Sequence, residues 1–226
     1  MAERKSETFV QSIKMKIQSL LKALVIGASL SAGSLFANTV TVYHTDNQGG
    51  LHAGEFLAKS DIGDFLTFCL EKEVKIVTGK EYTYTIESKA LGGGKNDQAE
   101  VGDTISQGTA FLYTAFLNGT LGDSDGVGSY VDNNDLNAGL LQLAIWALED
   151  EDVADQTNNF YYNLAQTEFM GNAHDDYTGS QVRVMNPWGE SGEDIQSILF
   201  SVPDGATTSV LLGLGLVSLA VLRRKF

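Results

Sequence analysis

The chain contains a single cysteine, Cys69, in the stretch Phe68-Cys69-Leu70-Glu71, and a glutamine, Gln142, in Leu141-Gln142-Leu143-Ala144-Ile145-Trp146. Held together in a dry pocket, a thiol and a side-chain amide can condense: sulfur replaces nitrogen on the carbonyl carbon, a thioester forms and ammonia leaves. The attacking species is the thiolate, which needs a base or a helpful environment to form. The product is an acyl group more electrophilic than an ester, open to attack by an unprotonated amine. Water would destroy it, so the site must stay desolvated until a partner docks. Phe68, Ile145 and Trp146 are the expected walls, and on a helix Gln142 and Trp146 lie one turn apart on a shared face. Such a bond acts once and does not turn over, so the expectation is not an enzyme, with no cofactor. Each residue also has a plainer reading. Cys69 can be a small buried hydrophobe, and Gln142 can hydrogen-bond a strand edge or face solvent.

Both local patterns resemble those of the bacterial thioester domains of surface adhesins. In that family an aromatic or apolar residue precedes the Cys, with an apolar and then an acidic or polar residue after it. The Gln lies in an apolar-Gln-x-x-apolar-Trp stretch. The resemblance implies a Cys69–Gln142 thioester that couples the protein covalently to an amine on a surface, matrix or partner protein. It covers about residues 64–200. Leu141 stands where the family often has Thr, and the contiguous Cys-Gly-Glu-Gln of complement-type thioesters is absent.

Other constellations are weaker. Asp123-x-Asp125 and Asp132-Asn133-Asn134-Asp135 offer oxygen ligands without a complete calcium loop, so a solvated acidic loop is expected and no metal site is assigned. His44, His52 and His174 lack zinc spacing. Gly92-Gly93-Gly94 is not followed by the Lys-Ser/Thr of a phosphate loop, and no Gly-x-Ser-x-Gly hydrolase elbow is present. Tyr82, Tyr84, Tyr161 and Tyr162 could form a sugar-binding face, although aromatic residues at such spacings are more often core.

The two ends define the compartment. Lys14, Lys16 and Lys22 precede an apolar run from Ala23 to Phe36 closed by Ala37, the pattern of a secretory signal over residues 1–37. At the other end Val202-Pro203-Asp204 leads into an uncharged run, Ser209 to Leu222, and then Arg223-Arg224-Lys225. The apolar run is marginal in length for a transmembrane segment, and its basic end should stay cytoplasmic. This tripartite tail, residues 202–226, resembles a PEP-CTERM sorting signal in its Val-Pro-Asp variant. The resemblance implies export, membrane retention and processing by an exosortase. Gly205-Ala206 departs from the commoner Ser-Gly.

Eight of the 15 basic residues lie before Ala37 or after Asp204, against only Glu3 and Glu7 of the 29 acids. The body between them therefore carries a charge of about −20, which argues against nucleic acid and anionic lipid as partners. It would concentrate cationic amines. One Cys excludes an intramolecular disulfide framework in the oxidising compartment beyond the membrane. Exopolysaccharide is the other partner considered, for a non-covalent, structural or polysaccharide-associated matrix protein.

Residues 38–201 are long enough for one domain with a real core. Thr39 to Tyr43 and Glu81 to Glu87 alternate as strands; Phe65 to Leu70 reads as a strand with Phe65, Thr67 and Cys69 on one face. Val74 to Val77, Val182 to Met185 and Ile195 to Phe200 are further strand candidates. Ser106 can cap a helix ending at Asn118-Gly119, Leu136 to Glu149 reads as a buried helix, and Asn159 to Phe169 as a third. The acidic run Glu149-Asp150-Glu151-Asp152 is expected in solvent. The order gives an α+β fold: a β-sandwich or barrel with an inserted small helical portion. Thioester domains of adhesins share that general shape, as the resemblance implies.

Overall fold

A computed structural model describes residues 38–46, 54–91, 102–123, 128–151, 153–193 and 195–203. The signal at 1–37, the Gly-rich loop at 92–94, His52, and the tail from Asp204 with its apolar run lie outside the described residues.

Among the described residues, eight strands and three α-helices make an α+β fold. β1 (Thr39–His44), β2 (Phe56–Ser60), β3 (Gly63–Thr67), β4 (Glu81–Glu87), β7 (Val182–Trp188) and β8 (Ile198–Ser201) form a six-stranded antiparallel sheet in the order β3-β2-β1-β4-β7-β8. The chain just beyond β3 then bridges to β8 through Cys69 opposite Ile198, so the sheet nearly closes into a barrel. β5 (Lys89–Ala90) and β6 (Asp103–Thr104) form a separate small pair. Inserted between β6 and β7 are the helices α1 (Gln107–Leu117), α2 (Asn134–Leu148) and α3 (Phe160–Glu168).

Local chemistry accounts for the helix starts. The Ser106 hydroxyl accepts from the Thr109 N–H at 3.1 Å, and the Asn159 side chain accepts from Tyr161 and Tyr162, each satisfying amides that a helix leaves open. Gly108 lets α1 approach the chain at Ala173: a Cβ there would come within 2.8 Å of the Ala173 carbonyl oxygen.

Alternation at the end of β3 divides the interior in two. Phe68 packs with α1, α2 and α3, among Leu112, Tyr113, Leu141, Ile145 and Tyr161. Cys69 points to the other side, with Val42, Phe56, Tyr84, Met185 and Ile198, and with Trp146 against them. Tyr82, Tyr84 and Tyr161 are buried core residues, which removes them as a sugar-binding face.

Three local expectations need correction, and one strand was not expected at all. β2 was not recognisable, because Phe56-Leu57-Ala58-Lys59-Ser60 shows little alternation. Val74 to Val77 is not a strand; it is irregular chain, with the Val77 N–H donating to the Tyr82 hydroxyl. The acidic run is not solvated as a whole: Glu149 and Glu151 are buried while Asp150 is exposed. Asp123, expected in a solvated loop, is buried as well.

Candidate functional site

The antiparallel bridge between Cys69 and Ile198 is flanked by two hydrogen bonds, from the Leu70 N–H to the Ser197 carbonyl and from the Leu199 N–H to the Phe68 carbonyl, both 3.1 Å. This makes Cys69 and Ile198 a non-hydrogen-bonded pair, so the N–H and C=O of Cys69 point away from β8. On that outer side the pairing of β2 with β3 ends at Phe56 opposite Thr67, two residues short of Cys69. Two strong backbone groups are thus left in the interior without a strand to receive them.

Gln142 receives them. The Cys69 N–H donates to Gln142 Oε1 at 2.9 Å, and Gln142 Nε2 donates to the Cys69 carbonyl at 2.7 Å. A backbone donor and a backbone acceptor on one residue admit only this orientation of the amide. Gln142 sits midway along α2 and is fully buried, so a helix side chain acts as the missing neighbouring strand. The two residues are 73 positions apart in sequence.

Of the three expected walls, Trp146 lines a half-open cavity of about 430 Å³ that also contains Cys69. Phe68 and Ile145 are instead buried on the helix side, where the period of each element carries them. The cavity is further lined by Phe56, Ile76 and Gln196, with His44, Lys72, Glu73 and Lys75. The indole N–H of Trp146 is buried and has no hydrogen-bond partner among the described residues.

Glu71, two residues from Cys69, is buried. Its Oε2 accepts from the Ser197 N–H at 3.0 Å and from Gln196 Nε2 at 2.8 Å, while Oε1 has no partner among the described residues. Burial pushes its carboxyl up to about 8 against the pull of these donors. Burial, with the nearby Glu71 charge as a lesser cause, holds the Cys69 thiol far above the usual range, so it is protonated at neutral pH. Further along, Glu151 accepts from the Lys72 N–H at 3.1 Å and Glu149 from the Ser106 N–H at 3.0 Å, which is why the acidic run is drawn inward. Glu149 is pushed up to about 7, chiefly by burial.

The rim of the cavity does not share the acidity of the body: Lys72 and Lys75 are exposed beside one carboxylate, Glu73. His44, assigned no role from the sequence, is exposed and packs its ring tilted against Phe56, with ring centroids 5.2 Å apart and planes at 38°. Its place there follows from the β1–β2 register, which sets His44 opposite Phe56. Gln196 was missed for a similar reason, since it reaches the cavity only through the closure of β8 on the end of β3. Among the described residues no group of three or more His, Cys, Asp or Glu could hold a metal ion, and no helix is long and apolar enough to cross a membrane.

Compared with known families, residues 201–226 match the VPDSG-CTERM motif. Val202, Pro203 and Asp204 fall within that match, with Gly205-Ala206 in place of Ser-Gly. The chain thus ends in an exosortase-type sorting tail, which marks an exported protein that associates with the membrane or cell surface. No curated protein and no solved structure matches the chain.

Proposed function

We propose that the exported body carries an internal Cys69–Gln142 thioester that couples once to an amine on a surface, a matrix or a partner protein. The observation that supports it is the two-point pairing of the Gln142 amide with the backbone of Cys69. It brings the carboxamide to the one residue of the chain that carries a thiol, in an interior site with a cavity leading to it.

The pairing also has the polarity the reaction needs. The Cys69 N–H already donates to Oε1, the atom that gains negative charge when a nucleophile attacks the Gln142 carbonyl carbon. Sulfur attacks that carbon, the C–N bond breaks, and the thiol proton leaves with the amide nitrogen as ammonia. The hydrogen bond from Nε2 to the Cys69 carbonyl is given up, while the one to Oε1 remains for the second step. There an amine replaces sulfur and the thiol is regenerated. Burial of the Cys69 thiol works against the first step, since it disfavours the attacking thiolate, and it slows loss of sulfur to amine and water alike. The protein acts once per molecule and is not an enzyme in this reading. Adhesion is its use.

A second reading keeps a specific observation on its side. The Gln142 amide satisfies both backbone groups of Cys69 without any covalent step, which is reason enough for a buried glutamine. The protein would then be a non-covalent, structural or polysaccharide-associated matrix component with Cys69 as core.

Intact mass of the exported protein, purified without primary amines, separates the two. The thioester predicts a mass lower than the sequence by one ammonia, and conversion to a methylamide on Gln142 when methylamine is added. Cys69→Ala should fold, because it removes only one sulfur atom from a buried site, and should show neither change. A free thiol at the full sequence mass would remove the covalent reading and leave the matrix protein.

A further inference from the structure

Another half-open cavity, of about 440 Å³, lies on the helix side of the domain. Its walls are largely apolar: Leu66, Leu117, Leu121 and Val131 line it, and of these Leu117 and Val131 are exposed. Two polar side chains interrupt this lining, Glu55 and Tyr130. They are only 5% and 6% exposed, so each presents its polar group from within the fold rather than from the surface. Tyr130 opens the short 3-10 turn Tyr130–Asn133 before α2, and its ring meets Phe116 edge-on at 5.2 Å. The cohesive packing of the helix side thus fixes the position of the phenol. Glu55 immediately precedes β2, and its neighbour Phe56 lines the Cys69 cavity instead.

The Tyr130 hydroxyl is buried and has no hydrogen-bond partner among the described residues. Burial raises the phenol far above its usual range and the nearby Glu55 charge adds to this, so the hydroxyl is neutral at pH 7. Carboxyl and phenol are therefore close in space, yet no hydrogen bond joins them. A buried hydroxyl left open calls for an explanation, and an acceptor-only carboxylate beside it favours a ligand that donates.

We propose that this cleft is a non-covalent binding site for a primary alkylammonium, such as the end of a lysine side chain. The ammonium donates to the Glu55 carboxylate and to the Tyr130 oxygen, and the alkyl stem lies along the aliphatic walls. Three donors and no acceptor match a carboxylate and a phenol oxygen, and the bond to the carboxylate is charge-assisted. A sugar would instead bury hydroxyls against Leu66, Leu121 and Val131, which cannot pair with them. The size of the cleft is that of a small-ligand site. A body charge of about −20 also draws cations towards the domain. The site goes beyond the thioester and does not depend on it: with either reading of Cys69, it gives an amine-bearing partner a reversible hold.

The test uses the exported chain with Cys69→Ala, in which no thioester can form and no amine is consumed. n-Pentylammonium is titrated at pH 7 by calorimetry and amide chemical shifts, beside its neutral counterpart 1-pentanol and beside glucose. We expect pentylammonium to shift the amides of Leu117, Gly119 and Ser129, which line the cleft, and to bind roughly tenfold more tightly than 1-pentanol. Glu55→Gln should weaken binding roughly tenfold or more. Tyr130→Phe removes only a hydroxyl without a partner, so it should fold as well as its parent and bind roughly three- to tenfold more weakly. Equal binding of 1-pentanol would mean a merely apolar cleft, and tighter binding of glucose a sugar site; either overturns the proposal. So would undiminished binding to either variant, shifts confined to another part of the domain, or no binding of pentylammonium at all. These outcomes leave the thioester untouched, since the intact mass of the wild-type chain decides it separately.

Discussion

Phe68 and Cys69 are neighbours in sequence and face opposite interiors. The helix side, around Phe68, is built for cohesion. Phe68 meets Phe116 edge-on at 5.0 Å, Phe116 meets Tyr130 at 5.2 Å, and the buried Tyr113 and Tyr161 hydroxyls donate to the Leu66 and Gly122 carbonyls. The other side, around Cys69, combines apolar packing with a cavity; among the described residues it leaves the Trp146 indole N–H and one Glu71 carboxyl oxygen without partners, as the helix side leaves the Tyr130 hydroxyl. Buried polar groups left open cost stability on either side, so it is the cavity at the Cys69 thiol that sets the two sides apart. The lesson is that one residue step along an extended chain separates a region that holds the domain together from one that can do work.

Substitution on each side should separate these roles. Phe68→Ala removes a fully buried ring from the larger cluster, and its cost should be about 3–5 kcal/mol in denaturant unfolding. Removing the link between the two sides should come next. Gln142→Leu keeps the volume roughly constant but strands the N–H and C=O of Cys69, at a cost of about 2–4 kcal/mol. It should also loosen the closure of the barrel, read as faster amide exchange at Leu70 and Leu199, whose hydrogen bonds flank Cys69. A Gln142→Leu protein as stable as wild type would mean that the pairing carries no weight, and the comparison would lose its hinge.

Much of this division was legible in the sequence, for reasons that can be named. The alternation of Phe65, Thr67 and Cys69 and the helical period around Gln142 and Trp146 are local patterns, and local patterns survive folding. The cap at Ser106 is local as well. The tail could be read from its own residues. What escaped depends on register and closure. Nothing near His44 announces that it will stand opposite Phe56, and nothing near Gln196 announces that β8 will close on the end of β3. The same holds for Phe68 and Ile145. They flank the reacting pair in sequence and were expected as its walls, yet a flanking residue on a strand or helix usually faces elsewhere. Glu149 and Glu151 looked like a solvated run because charge is a surface signal; the amides of Ser106 and Lys72 that draw them in come from distant segments.

Glu71 offers the smallest effect and the one most particular to the Cys69 side. Its carboxyl is raised from an ordinary value near 4.5 to about 8 in the folded protein. The folded state therefore binds this proton more tightly than the unfolded chain does. Stability from this group is fully present below about pH 4.5 and is lost progressively as pH rises towards 8, since unfolding then releases a proton. Glu71→Gln removes that penalty while keeping an acceptor for the Ser197 N–H. At pH 7 the variant should be more stable than wild type by roughly 1–3 kcal/mol, and its melting temperature should vary less between pH 4.5 and 8. Glu149, raised to about 7, titrates in an overlapping window and will remain in the variant's profile. The difference between the two proteins, rather than either curve alone, is therefore the quantity to measure. A difference that does not change with pH would mean that Glu71 is ionised in the fold, and the Cys69 side would then hold a buried charge beside its thiol instead of a neutral acid.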